Sequence, residues 1–165
     1  MVVLDTTVLL LLLDPNAHPP TDPDTGKPLQ WCRERMECLL DHFEKTKTVA
    51  LIPTPVLCEV LVGARDADAF IREIRKAPVF DIADFDAASA IAAADFIRAR
   101  LSSGGMAIGG KTRAKFDAQI LGIAKVRNAK TIYTDDKGLA SQATANGISA
   151  ISTAAIPLPP QPSLI

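Results

Sequence analysis

The sequence predicts an α/β fold, a three-layer α/β/α sandwich around a central parallel sheet of about five strands. Three observations predict it. Short apolar runs rich in β-branched residues alternate with longer stretches of helical periodicity along the chain. The runs are largely apolar throughout rather than alternating, which marks parallel strands covered on both faces. Finally, 165 residues, 48% of them hydrophobic, suffice for one domain that buries roughly two-thirds of its unfolded surface.

The elements follow in order. VVL (2–4) is a strand that stops at Asp5, and TTVLLLLL continues as a buried helix. DPNAHPPTDPDTGKP (14–28) is crowded with Pro, Asp and Gly and reads as an irregular excursion. From about Leu29 to Lys45, Trp31, Met36, Leu39, Leu40 and Phe43 recur at helical spacing. VALI (49–52) is the second strand, ended by Pro53. Thr54 and Pro55 suit the N-cap and first turn of the next helix, PVLCEVLVGAR. DADAFIREIRK is a helix with Asp66 near its cap, and VFDI (79–82) is the third strand. Asp84 or Asp86 caps the alanine-rich helix that follows. A glycine-rich loop leads to a helix from about Lys115 to Arg127, then come strands KTIYT (130–134) and ISAIS (148–152). Residues 1–155 thus read as one domain, with an excursion at about 14–47, and 156–165 as an extended, proline-rich tail draped over the surface.

Eighteen basic against nineteen acidic side chains give a net charge of -1. That balance excludes a generally polybasic nucleic-acid binder while allowing a local basic edge. Cys32, Cys38 and Cys58 lack CxxC spacing and read as reduced thiols, without structural zinc or disulfides. The apolar start has no basic region before it, carries Asp5 within it and is too short to span a bilayer. A cytoplasmic protein without a membrane segment is expected.

Function is written in the carboxylates. Asp5 ends the first strand, and Asp135 and Asp136 end the fourth. Glu59 lies in the first turns of the helix after the second strand, and Asp117 in the first turn of the helix before the fourth. In an open parallel sheet, ligands collect at the carboxyl ends of the strands. These acids are embedded in apolar sequence, where a charge is costly unless paired. Several together repel one another, and a hard divalent cation such as Mg²⁺ or Mn²⁺ offsets both costs. Singly, each acid could equally be a helix cap or a turn; the ordered set points to a site. His18 and His42 form no Ser/His/Asp arrangement and read as surface residues.

LDTTVLL, TPVLCEVLVG, KFDAQILGIAK and TIYTDDKGL, in that order, resemble the four acidic motifs of the PIN-domain family over about residues 2–152. The resemblance implies a metal-dependent nuclease, most often a ribonuclease, as in the toxins of bacterial VapBC toxin–antitoxin pairs. It implies Asp5, Glu59, Asp117 and Asp136 as catalytic residues, with one or two Mg²⁺ or Mn²⁺ ions on Asp5, Asp117 and Asp136. Asp135 falls on the family's variable position, as a supporting or alternative metal ligand. Thr6 and Thr134 offer hydroxyls to a metal-bound water or to phosphate. RNA is the implied substrate, with an antitoxin protein and a homodimer as implied partners. Two features depart from the family. Thr7 stands where an asparagine is usual, and the 14–47 insertion is long.

GGMAIGGKTR (104–113) supplies the rival reading. From Gly105 to Thr112 it matches the phosphate-cradling pattern G-x-x-x-x-G-K-T. A P-loop needs a strand directly before it, whereas ADFIRARLSS reads as helix. Lys111, Arg113 and Lys115 beside Asp117 instead suit a nucleic-acid backbone, with Arg33 and Arg35 as weaker candidates. A PIN-fold interaction module without activity is the third reading.

Overall fold

The computed structural model describes residues 1–64, 66–102 and 111–158, with the backbone alone for 111–113. Its sheet holds five strands, β1 (Val2–Leu4), β2 (Ala50–Pro53), β3 (Phe80–Ala83), β4 (Thr131–Tyr133) and β5 (Ser149–Ile151). All neighbours are parallel, in the order β3-β2-β1-β4-β5. Val3, Leu4, Ala50, Leu51 and Ile52 are fully buried on both sides of the pleat, so helices cover both faces and the fold is a three-layer α/β/α sandwich. The chain steps outward from β1 to β3, then returns to the other side of β1 for β4 and β5. The order therefore reverses between β1 and β4, the place where such sheets open a crevice beyond their carboxyl ends. Leu4 pairs with Tyr133 there, and the Asp5 N–H donates to the Tyr133 carbonyl at 3.0 Å.

The helices are α1 (Thr6–Leu13), α2 (Cys32–Thr46), α3 (Thr54–Gly63), α4 (Ala67–Lys76), α5 (Ala87–Ser102), α6 (Lys111–Val126) and α7 (Lys137–Ala145), with a 3₁₀ turn at Thr153–Ala155. Helices α5 and α6 lie against each other closely. A Cβ on Gly122 would come within 2.5 Å of the Ser89 carbonyl, so only glycine allows this approach. Asp66 and Asp86 act as the expected caps, accepting from the amides of Ala69 and Ser89.

Several local expectations differ. Helix α3 begins at Thr54 itself, and the Thr54 hydroxyl accepts from the Phe85 amide instead of capping, so it ties down the chain leaving β3. Trp31 is no part of α2's apolar stripe. It has left-handed backbone angles before the helix and is 59% exposed, while Met36, Leu39 and Phe43 form the buried face. Helix α6 begins at Lys111, so Asp117 sits in its second turn, not its first. Helix α7 was not foreseen in the sequence.

The 14–28 excursion closes on itself. Thr21 and Pro28 form an antiparallel bridge, the Asp22 amide donates to the Lys27 carbonyl, and the Leu29 amide donates to the Pro20 carbonyl. The Asp22 carboxylate accepts from the amides of Asp24 and Thr25, and Gly26 takes the φ of +68° that the turn requires. Of the tail, Ile156 is buried in the core rather than draped on the surface. Its carbonyl and that of Ala154 accept from Arg35, so Arg35 spends its guanidinium on the chain's own backbone. Arg33 does the same with the Pro15 carbonyl at 3.2 Å. Residues 159–165 lie outside the described residues.

Candidate active site

Beyond the carboxyl ends of β1 and β4 lies an open groove of about 1080 Å³. Asp5, Glu59, Asp117, Asp135 and Asp136 all line it, together with Thr6 and Thr7. Four separate stretches of chain therefore bring the predicted acids to one place.

Asp5 is the most constrained. One carboxylate oxygen accepts from the Thr6 amide at 2.7 Å, which caps α1. The other accepts from the Thr134 hydroxyl at 2.6 Å. The residue is only 8% exposed, and that burial holds its pKa above the usual 3.8. The bonds from Thr134 and Thr6 pull the other way, while the charges of Asp136 and Glu59 push it up again. Both charged groups that act on Asp5 are anions.

Thr134, itself buried, also accepts from the Asp136 amide at 3.0 Å, so one hydroxyl fixes the ends of both strands. Asp136 caps α7, accepting from the amides of Gly138 and Leu139. Thr6 donates to Glu59 at 2.5 Å. Both threonine hydroxyls thus direct their protons at carboxylates. Asp117, buried on α6, accepts from the Gln142 side chain of α7 at 3.0 Å. Asp135 accepts from both the amide and the hydroxyl of Thr153, so its carboxylate anchors the turn after β5.

Lys115 is exposed and lines a separate small pocket with Arg100 and Gln142, not the groove. Lys111 and Arg113 have their backbone in the first turn of α6, but their side chains lie outside the described residues, as does the backbone of 103–110. The P-loop match falls mostly in that stretch. On its near side the chain is helix α5 and on its far side helix α6, so no described strand leads into it. His18 and His42 are exposed, and the three cysteines are free. Among the described residues no helix is long and apolar enough to cross a membrane.

Gln142 and Thr153 escaped the sequence reading. Each reaches its acid across 25 or 18 residues, and no local pattern encodes such a bond. Among the described residues, no three acidic, histidine or cysteine side chains stand close enough together to hold a metal ion as placed. The five carboxylates offer oxygen donors, the kind that hard divalent ions prefer, and the free Cys58 thiol also lines the groove.

A family model described as the PIN domain matches residues 32–145. That stretch holds Glu59, Asp117 and Asp136 but not Asp5, which the fold brings to them. No curated protein matches the chain. Among solved structures, FitAcB from Neisseria gonorrhoeae is similar over 93% of this chain and 98% of its own, at 21% identity and a TM-score of 0.58. VapBC2 from Rickettsia felis, bound to a DNA fragment from its promoter, is similar over 92% and 98%, at 17% identity and 0.58. DNA-bound VapBC from Salmonella typhimurium is similar over 92% and 97%, at 15% identity and 0.56. At these identities the structural likeness speaks for the fold alone.

Proposed function

This chain belongs to the PIN-domain family, and on that premise we propose that its acidic groove hydrolyses phosphodiester bonds of RNA with a divalent cation. PIN domains are in general nucleases. The observation that carries the proposal is the convergence of Asp5, Glu59, Asp117 and Asp136 on the crevice where the strand order reverses.

Asp5, Asp117 and Asp136 would hold the ion, with Glu59 completing the set directly or through water. The donor chemistry fits Mg²⁺ or Mn²⁺: carboxylate oxygens, in a place where Asp5 already carries the repulsion of two other anions. Among the described residues no three of these side chains stand close enough to hold an ion as placed, so holding one would require the carboxylates to draw together. A bound ion of this kind lowers the pKa of its water and neutralises charge that develops on phosphate. The chain's own groups do the positioning. Thr134 sets the orientation of Asp5, Gln142 that of Asp117, and Thr6 that of Glu59. Lys115, Lys111 and Arg113 are proposed to hold the nucleic-acid backbone beyond the groove.

We further propose that the chain is the nuclease half of a toxin–antitoxin pair, with a partner protein covering the groove by a basic side chain. The VapBC neighbours support that reading. A silent PIN-fold module is the second reading, favoured by the spacing of the acids. Cleavage of a single-stranded RNA decides between them. Wild type is expected to cleave with Mn²⁺ or Mg²⁺, to stop on chelation, and to lose at least about a hundredfold in rate as Asp117→Ala. Equal rates for the two proteins would sink the nuclease proposal.

A further inference from the structure

A second cavity, of about 340 Å³, opens beside the acidic groove and shares Pro20, Asp135 and Asp136 with it. Its two walls differ in origin. Pro20, Thr21, Pro23 and Leu29 come from the closed hairpin between α1 and α2. Ala140 of α7, Ala150 of β5 and Ser152 and Ala154 after it form the other side. Four short alanine side chains, with Ala155 the fourth, leave the space open. The proline rings give it a flat apolar wall, and the hydroxyls of Thr21 and Ser152 add polar edges. Lys137, exposed, stands at the rim. The hairpin wall is held by its own bridge and turn bonds, so the cavity is shaped before any ligand arrives.

The volume lies at the low end of the range for small-ligand sites, roughly 300–1,000 Å³. It suits one planar heterocycle and excludes a duplex. The cavity continues directly from Asp136, so a chain whose phosphate lies among the acids has its next ring at the cavity mouth. A base that is paired and stacked cannot turn into such a space, whereas an unpaired one can be splayed out and read at its edges.

We propose that this cavity is a subsite for a single unstacked nucleobase, seated between the hairpin prolines and the alanines of α7 and β5, with Lys137 on the adjoining phosphate. The substrate class is then single-stranded nucleic acid. The hairpin serves as the wall that selects it. This inference rests on the nuclease reading of the neighbouring groove.

The test compares two substrates in Mn²⁺: a single-stranded RNA and bis(p-nitrophenyl) phosphate, a diester with no nucleobase. The quantity read is the ratio of kcat/KM for RNA to that for the small diester. Ala140→Leu fills the cavity with a good helix former on a half-buried position. It is expected to lower the ratio about tenfold, chiefly through KM for RNA. Lys137→Ala, an exposed change, keeps the fold and is expected to reduce the slope of log affinity against log salt by about one. A ratio within twofold of wild type for Ala140→Leu, or an unchanged salt slope for Lys137→Ala, would overturn the subsite and leave the hydrolytic groove standing. Failure of wild type to cleave either substrate would instead remove the nuclease reading, and the subsite with it.

Discussion

Asp5→Asn is expected to abolish hydrolysis while raising the melting temperature of the metal-free protein at neutral pH. Both effects have one cause. Burial, together with the charges of Asp136 and Glu59, lifts the Asp5 pKa above its usual 3.8 in spite of two hydrogen bonds to its oxygens. A carboxyl whose folded pKa lies above its unfolded one favours folding when protonated. Its contribution is complete below pH 3.8 and is lost as pH rises through the folded value. At neutral pH the ionised carboxylate is therefore a cost that a bound cation would offset, and asparagine never carries it. The asparagine carbonyl still accepts from the Thr6 amide, so the α1 cap survives. Melting followed by circular dichroism without metal should show Asn above Asp at pH 7, by about 2–4 °C for each kcal/mol relieved. The gap should close as pH falls toward 4. Added Mn²⁺ should then raise wild type past the variant, since a ligand at a hundred times its Kd adds about 2.7 kcal/mol. A wild type that melts above Asp5→Asn at neutral pH in the absence of metal would contradict this picture of the groove.

Thr134→Val carries the second large effect. The hydroxyl it removes is buried, donates to Asp5 at 2.6 Å and accepts from the Asp136 amide at 3.0 Å. Valine matches the shape but leaves a buried donor and a buried carboxylate oxygen each short of a partner, at about 1–3 kcal/mol for such a group. The Thr134 bond also lowers the Asp5 pKa, so its loss pushes that pKa further up. Two readouts separate positioning from mere instability. Activity should fall by about 10–100-fold at neutral pH, and the acid limb of the pH–rate profile should move to higher pH. Thr134→Ser restores the hydroxyl and should recover both. A pH profile unmoved in Thr134→Val would show that the hydroxyl does not act on Asp5.

The strands themselves and the acids at their ends were legible because both depend on local pattern, whereas the strand order came only with the fold. A short apolar run that stops at Asp5 or at Asp135 and Asp136 signals a strand end, and a parallel sheet sends such ends to one edge. Helix α7 was missed because KGLASQATA is built of small and polar residues with weak helical signal. Its clues were present: Asp136 at the cap, Leu139 and Ala143 one turn apart, and Gly147 at a φ of +75° beyond the end. Trp31 misled because apolar spacing says nothing about where the backbone turns left-handed. The motif offers the Thr134 hydroxyl to a metal-bound water or to phosphate, and the structure gives its proton to Asp5, 129 residues away. Hydrogen bonds of that span follow from the fold alone. The hairpin at Thr21–Pro28 lies between these cases. Its turn residues were conspicuous, but its place beside the groove, lining one cavity with Ala140 of α7 and Ala150 of β5, follows only from the fold.

The adjacency of Asp135 and Asp136 shows the limit most clearly. In sequence either could serve the site. The Asp135 carboxylate holds Thr153, and Asp136 heads α7 beside the amide bound to Thr134. The family match covers Asp136 but begins after Asp5. Only the pairing of β1 with β4 brings Asp5 against the end of that strand.

Whether Asp5, Asp117 and Asp136 hold a divalent cation is tested most directly by titrating Mn²⁺ into the purified protein in a calorimeter, without substrate. Wild type should give a saturable isotherm for one or two ions. Asp5→Asn and Asp117→Asn should each remove it or weaken it by more than about a hundredfold. Identical isotherms for all three proteins, or no saturable binding by wild type, would contradict the assignment of the groove as a metal-dependent nuclease site.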